Sequence, residues 1–284
     1  MSRPVPAHRS GAVSIPAQAR LAVLPQPRHW LLWPAVLAAV VLALGFTAKL
    51  APGYTTEELV VDQDLSRSHD SVLNAVAMTL NYAFAPVAGV AIIALICLYL
   101  LLVRRSPVNA VAVGLFSCLG WVASEFFKLI VARHRPDQSL LFNPLAPETG
   151  SNSFPSGHTA FAVALGFALY FLARGTKWQR ATAVAASVVA VVVALSRLYI
   201  GVHYPTDVAA SFVASTAIVI LFTGLWNRYS PAVLHRIPLL ARFGPVPGVS
   251  APSKHAPSKH APSKHAPSKH APSRPAPSRN DQHA

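Results

Sequence analysis

Three stretches of this chain concentrate side chains that can do chemistry on an anion. The first, "EFFKLIVARHRPD", carries Lys128, Arg133, His134, Arg135 and Asp137. The second, "SNSFPSGHTAF", sets Pro155-Ser156-Gly157-His158 at the mouth of an apolar run, and the third, "LSRLYIGVHYPTD", holds Arg197, His203 and Asp207. Guanidinium groups fork onto phosphate oxygens, and a lysine supplies a point charge. Ser156 and Gly157 precede an apolar segment, so backbone N–H groups there can face an anion at a helix N-terminus, where the dipole favours negative charge. One imidazole can attack phosphorus while a second protonates the departing oxygen. Asp207 follows His203 by four residues, one turn if the backbone is helical. A carboxylate on one ring nitrogen fixes the tautomer and leaves the other nitrogen for attack. Phosphate is the natural guest of such a set, and phosphoryl transfer the natural reaction.

Something must gather residues so far apart in the chain. The protein has 284 residues, 53% hydrophobic and only 12% charged, whereas a soluble domain carries about twice that charge. Six stretches approach or reach the roughly 18 to 20 apolar residues that one bilayer crossing needs: Trp30 to Ala48, Phe84 to Val103, Val108 to Phe127, Gly157 to Ala173, Ala181 to Tyr199 and Val208 to Trp226. The fourth is short, and the fifth holds Ser196-Arg197 near its end. Backbone polar groups in lipid must be satisfied within the segment, so the spans are helices. The expected fold is all-α, a polytopic membrane protein with six transmembrane helices in a bundle. The first apolar run is longer than a signal-peptide core and follows a Pro/Ala/Arg-rich arm, which makes it a span.

A net charge of +14 first suggests nucleic acid, but its distribution follows membrane topology instead. Arg3, Arg9, Arg20 and Arg28 precede span one; Arg104 and Arg105 separate spans two and three; Arg174, Lys177 and Arg180 separate spans four and five. A basic tail follows span six, while Glu57, Glu58, Asp62, Asp64, Asp70, Asp137 and Glu148 fall in the alternate loops. Basic loops stay cytoplasmic. Both termini are therefore expected inside, in a plasma (inner) membrane, with Lys128, Arg135, His158, Arg197, His203 and Asp207 all at the extracytoplasmic face. No specific nucleic-acid partner is predicted. Trp30, Trp33, Trp178 and Trp226 read as an interfacial belt, and Cys97 and Cys118 as small apolar fillers.

The expected organisation is a disordered basic cytoplasmic arm over 1–28, a membrane domain over 29–228 and a disordered basic tail over 229–284. Residues 53 to 70 read as an acidic outer loop, and Asp70 to Ala85 as a short helix. Four copies of "APSKH" fill 251 to 270. A five-residue period with proline in every unit cannot build a folded repeat, so the tail is an extended, solvated linker. Contact of its cations with anionic lipid or nucleic acid, and soft-metal binding by His255, His260, His265 and His270, are the alternatives.

Lys128-x6-Arg135-Pro136, Pro155-Ser156-Gly157-His158 and Ser196-Arg197-x5-His203-x3-Asp207 together resemble the three-part motif of the type 2 phosphatidic acid phosphatase family. That superfamily includes bacterial acid phosphatases and vanadium haloperoxidases. The resemblance covers about residues 80 to 226, with no motif residue substituted. It implies that His203 is the nucleophile forming a phosphohistidine, Asp207 the acid that orients it, and His158 the general acid. It implies phosphate binding by Lys128, Arg135, Arg197, Ser156 and Gly157, hydrolysis without metal or other cofactor, and a lipid phosphate in the bilayer as substrate.

Outside the motif, Arg133 and His134 read as interfacial side chains, with an extra arginine on hand for phosphate. Glu125 and Lys128 read as a helical i,i+3 pair, Tyr199 and Tyr204 as interfacial aromatics, and Trp121 as packing. The favoured activity is a lipid phosphate phosphatase acting on phosphatidate, phosphatidylglycerol phosphate or polyprenyl pyrophosphate. A lipid phosphotransferase, a vanadate haloperoxidase and a non-enzymatic membrane anchor for the basic tail stand as alternatives.

Overall fold

The structure, a computed structural model, describes residues 17–146 and 150–246. The APSKH repeats and the first 16 residues lie outside that range. Among the described residues there are helices and one isolated bridge between His134 and Asn152, but no strand. The helices are α1 (Leu32–Leu50), α2 (Tyr54–Arg67), α3 (Ser71–Ala83), α4 (Pro86–Leu98), α5 (Pro107–Val131), α6 (Gly157–Ala173), α7 (Gln179–Tyr199), α8 (Pro205–His235) and α9 (Pro238–Ala241).

Each of the six expected spans coincides with a helix. Five are long and apolar enough to cross a membrane, counting α4 with the π-helical turn Tyr99–Val103 that extends it, and α6 is a shorter apolar helix of 17 residues. Valines and leucines on α1, α4, α5 and α7 stay exposed, as lipid-facing side chains must. The chain is a multi-pass membrane protein of α-helices.

Sequence chemistry sets the helix starts. Pro86, Pro107 and Pro205 occupy first-turn positions, where a missing N–H costs nothing. Asp70 caps α3 by accepting from the N–H groups of Val72 (2.8 Å) and Leu73 (3.0 Å). At the start of α8 the Tyr204 N–H donates to Asp207 Oδ2 at 3.0 Å, so a carboxylate in the first turn closes the helix back on its cap.

α6 sits at the centre, packed on α5, α7 and α8, while α1 packs along α8. Contact between α5 and α6 is backbone to backbone: a Cβ at Gly120 would stand 2.2 Å from the Ala160 carbonyl oxygen. Small residues at such crossings let membrane helices approach and gain packing that lipid cannot match. Ser215 on α8 donates to the same Ala160 carbonyl at 3.1 Å.

Four expectations about the periphery are corrected. The acidic stretch 53–70 is largely helix α2 rather than a loop, with Asp62 and Ser66 buried. The described part of the N-terminal arm is a packed segment: Ala17–Ala22 forms a 3-10 turn with Leu21 and Leu24 buried, and Leu21 N–H donates to Asn109 Oδ1 at 2.8 Å. Trp226 belongs to that contact, buried and donating Nε1–H to the Leu21 carbonyl at 2.8 Å, so it is not an interfacial tryptophan. α8 also runs past residue 228 to His235, with Ser230 and Leu234 buried, and Asn227 is held against the arm by hydrogen bonds with Leu24. Trp121 stacks on Phe161 with centroids 4.2 Å apart, the packing role expected of it, and Cys97 and Cys118 are free thiols.

Candidate active site

All eight motif residues lie at one end of the bundle, on the C-terminal ends of α5 and α7, the N-terminal ends of α6 and α8, and the loops between them. α5 ends at Ala132 in the left-handed conformation (φ 48°), which turns the chain so that Arg133 and Arg135 leave the helix in different directions. Arg135 reaches His203: its Nη1 lies 3.1 Å from Nε2 and 3.0 Å from the Val202 carbonyl, while Nε donates to the Gly150 carbonyl at 2.7 Å. On the other side of the ring, His203 Nδ1 faces Asp207 Oδ2 at 3.5 Å. His203 is 1% exposed and Asp207 fully buried.

Those partners define the tautomer. A guanidinium can only donate, so His203 Nε2 accepts and carries a lone pair, leaving the proton on Nδ1 towards the carboxylate. His158 is in the opposite state. Its Nε2 lies 3.1 Å from the Asn81 carbonyl oxygen, which can only accept, so that nitrogen bears a hydrogen. Arg197, buried at the end of α7, donates to the side-chain oxygen of the same Asn81. Lys128 pairs with Glu125 at 2.8 Å, as expected, and its Nζ is 3.6 Å from where a Cβ on Gly157 would stand. The glycine thus leaves open the space between that ammonium and the start of α6.

Ser156 has a structural task. Its hydroxyl caps α6, accepting from Thr159 N–H at 3.5 Å and bonded to Thr159 Oγ1 at 3.2 Å, and its N–H donates to the Asp207 carbonyl at 3.3 Å. Ser211 closes the joint by donating to the Ser156 carbonyl at 3.0 Å. These bonds tie the first turns of α6 and α8, and with them His158 and Asp207, into one unit.

Sequence reasoning missed a second layer. Arg133 is 2% exposed and not an interfacial side chain: its guanidinium is taken up by carboxylates of the protein. Nη1 bonds Asp207 Oδ1 at 2.9 Å, Nη2 bonds Glu58 Oε2 at 2.7 Å, and the guanidinium lies 4.1 Å above the ring of Tyr204. Tyr204 is likewise buried rather than interfacial, and burial pushes its phenol up to about 12 although Arg133 pulls the other way. Glu58 also accepts from the Thr206 N–H at 2.7 Å and from the Thr206 hydroxyl. Next to this group Asp62 is fully buried, and neither carboxyl oxygen has a hydrogen-bond partner among the described residues. Burial first, then the charges of Asp207 and Glu58, push its pKa up to about 8, with Arg133 opposing. A signal did exist: Glu58 and Asp62 are four apart, one face of a helix. Among the described residues no group of three or more His, Cys, Asp or Glu gathers as a metal cluster.

Comparison with known proteins places this arrangement. Residues 108–231 match the model of the PAP2 superfamily. The chain is 28% identical over 166 residues to "Undecaprenyl-diphosphatase BcrC" of Bacillus subtilis, covering 58% of this chain and 81% of that protein. It is 37% identical over 106 residues to "Phosphatidylglycerophosphatase B" of the same organism, covering 36% of this chain and 50% of that relative. An undecaprenyl-diphosphatase of Sulfolobus acidocaldarius is 32% identical over 125 residues, 43% of this chain and 57% of its own length. A solved transmembrane PAP2 type phosphatidylglycerolphosphate phosphatase from Bacillus subtilis has the same fold, with a TM-score of 0.55 at 24% identity over 70% of this chain and 96% of that one. Over residues 108–231 the chain thus resembles the PAP2 superfamily, and its fold is that of a solved transmembrane PAP2 phosphatase.

Proposed function

We propose that the chain is a membrane-integral lipid phosphate phosphatase working through a phosphohistidine. The observation that carries this reading is the pairing of opposite Nε2 states: a lone pair on His203 and a hydrogen on His158, at one end of the bundle with Lys128, Arg135 and Arg197. In the reaction His203 Nε2 attacks phosphorus as the bond to the leaving oxygen breaks, and the His158 imidazolium gives its proton to that oxygen. Water then attacks the phosphohistidine, neutral His158 takes the water's proton, and the N–P electron pair returns to Nε2. Asp207, 3.5 Å from His203 Nδ1, orients the ring and offsets its positive charge as the phosphohistidine forms. The three cations, with the first N–H groups of α6 beside Gly157, meet the charge on the transferring oxygens, and Ser156 shapes the turn that presents them.

A lipid substrate is supported by a largely apolar cavity of about 410 Å³ between α6, α7 and α8, lined by Val163, Phe167, Val191 and Phe212, roughly two turns along α6 from His158. Diphosphatases of a polyprenyl lipid and a phosphatidylglycerophosphatase among the relatives support a phosphomonoester or pyrophosphate on a lipid anchor. The alternation of basic and acidic loops supports cytoplasmic termini and an extracytoplasmic site. The test is phosphate release in detergent from phosphatidate, phosphatidylglycerol phosphate and polyprenyl pyrophosphate. One of the three is turned over by the wild type, and His203→Ala abolishes the release; equal release by His203→Ala refutes the reading. Transfer rather than hydrolysis would show as product that forms only with an added lipid acceptor.

A further inference from the structure

α3 lies outside the residues that match the superfamily, yet it closes onto the site. One of its residues, Asn81, touches both halves of the machinery: its side-chain oxygen accepts from Arg197 Nη1, and its main-chain oxygen accepts from His158 Nε2 at 3.1 Å. On the function proposed above, that guanidinium serves a phosphate oxygen and that N–H serves the leaving oxygen. A single residue thus presents two oxygens where the reaction needs two substrate oxygens. We infer that Asn81 is an internal stand-in for the phosphate ester, and that a lipid-borne phosphate enters by displacing the last turn of α3. Asn81 thereby sets which phosphates can compete for the site.

The way α3 is held fits a gate. Ala77 is its only buried residue, and its packing is chiefly against α7. The N-terminal end is pinned by Tyr199, whose hydroxyl accepts from Asp70 N–H at 3.1 Å and donates to Asn74 Oδ1 at 2.8 Å, with the His69 ring 4.3 Å away. At the C-terminal end Asn81 ties the last turn to the site, and the cap residue Phe84 packs against Phe161 with centroids 5.8 Å apart. Val72, Val76 and Tyr82 are 69%, 47% and 66% exposed, an apolar surface on a helix beside the bundle. Acyl chains can bear on that surface while the headgroup competes with Asn81. A small water-soluble phosphate has no such purchase, so the gate selects for phosphate attached to lipid.

The experiment uses the purified full chain in detergent, its lipid substrate, and inorganic phosphate as competitive inhibitor. Asn81→Ala removes the oxygen on Arg197, so the phosphate Ki falls about threefold to tenfold and kcat/KM rises. Asn81→Asp sets a carboxylate against Arg197 and raises that Ki about tenfold or more. If Asn81 instead orients Arg197 for catalysis, Asn81→Ala raises the phosphate Ki and lowers kcat/KM, and the gate is wrong. Should the Asn81 variants fail to fold, Tyr199→Phe loosens the other end of α3 without touching the site. It must also lower the phosphate Ki, and an unchanged or raised value overturns the inference. Active wild type with an inactive His203→Ala variant upholds the reaction independently, so an adverse Asn81 result sinks the gate alone.

Discussion

Arg133→Met is the sharpest probe of how the site is built. Methionine keeps most of the apolar stem of a side chain that is 2% exposed, and removes the guanidinium that forks between Asp207 and Glu58 and lies over Tyr204. Three acids, Asp207, Glu58 and Asp62, then share a pocket with no cation between them. Breaking a buried ion pair from one side costs about 3–5 kcal/mol, because the surviving charge stays desolvated. At 2–4 °C per kcal/mol for a chain this size, the unfolding midpoint in detergent falls by roughly 10 °C. Activity falls further than stability implies. Asp207 keeps its place in α8 but loses the group that fixes Oδ1, and with it the aim of Oδ2 at His203 Nδ1. Complete loss of an orienting carboxylate's function in a comparable triad costs about 10⁴ in rate; a displaced Asp207 is expected to cost about 10² in kcat/KM. Adding Glu58→Gln removes one stranded acid and returns about 1–3 kcal/mol of stability without restoring the rate. The assay is a thermal melt beside lipid phosphate release. A variant melting within about 2 °C of wild type, with activity within about threefold, would refute a supporting role for Arg133.

Asp62 makes stability depend on pH in a defined direction. The folded protein holds its proton up to about pH 8, whereas the unfolded chain releases it near the ordinary value of 3.8, so between those limits the folded state binds the extra proton. Stability therefore declines as pH rises from about 4 to about 8 and levels off above. Asp62→Asn removes that slope, and its melting midpoint gains on wild type step by step between pH 5 and 8.5; parallel curves for the two proteins contradict the burial argument. Gly120→Ala drives a methyl group into the Ala160 backbone, prying α5 from α6. It costs about 1–3 kcal/mol, and it lowers activity too, since these helices carry Lys128 and His158; an unaltered melt would mean the helices can part freely.

The motif blocks were legible because a charge in a chain this apolar needs a reason, and each block sits at a helix end where position and loop charge agree. What escaped notice did so for physical causes. Arg133, His134 and Arg135 are consecutive, and once Ala132 leaves helical geometry no periodicity tells which guanidinium turns inward. α2, "YTTEELVVDQDLSR", has no broad apolar stripe, and Glu58 docks it on Arg133 and Thr206, a tertiary pairing that composition cannot register. Leu21-Ala22-Val23-Leu24 is an apolar run too short to show a period, yet it orders the arm because Asn109, Trp226 and Asn227 supply hydrogen bonds from elements far along the chain. Asn81 carries no motif at all, and only the tertiary position of α3 gives it a role.

The brevity of α6 has a geometric consequence. Seventeen residues rise about 26 Å, short of a hydrocarbon layer of about 30 Å, while the 25 residues of α5 beside it reach about 38 Å. The turn bearing His158 is thus recessed like the bottom of a well whose walls are taller helices. A phosphate tethered to an acyl anchor can descend into it without its tails leaving the leaflet.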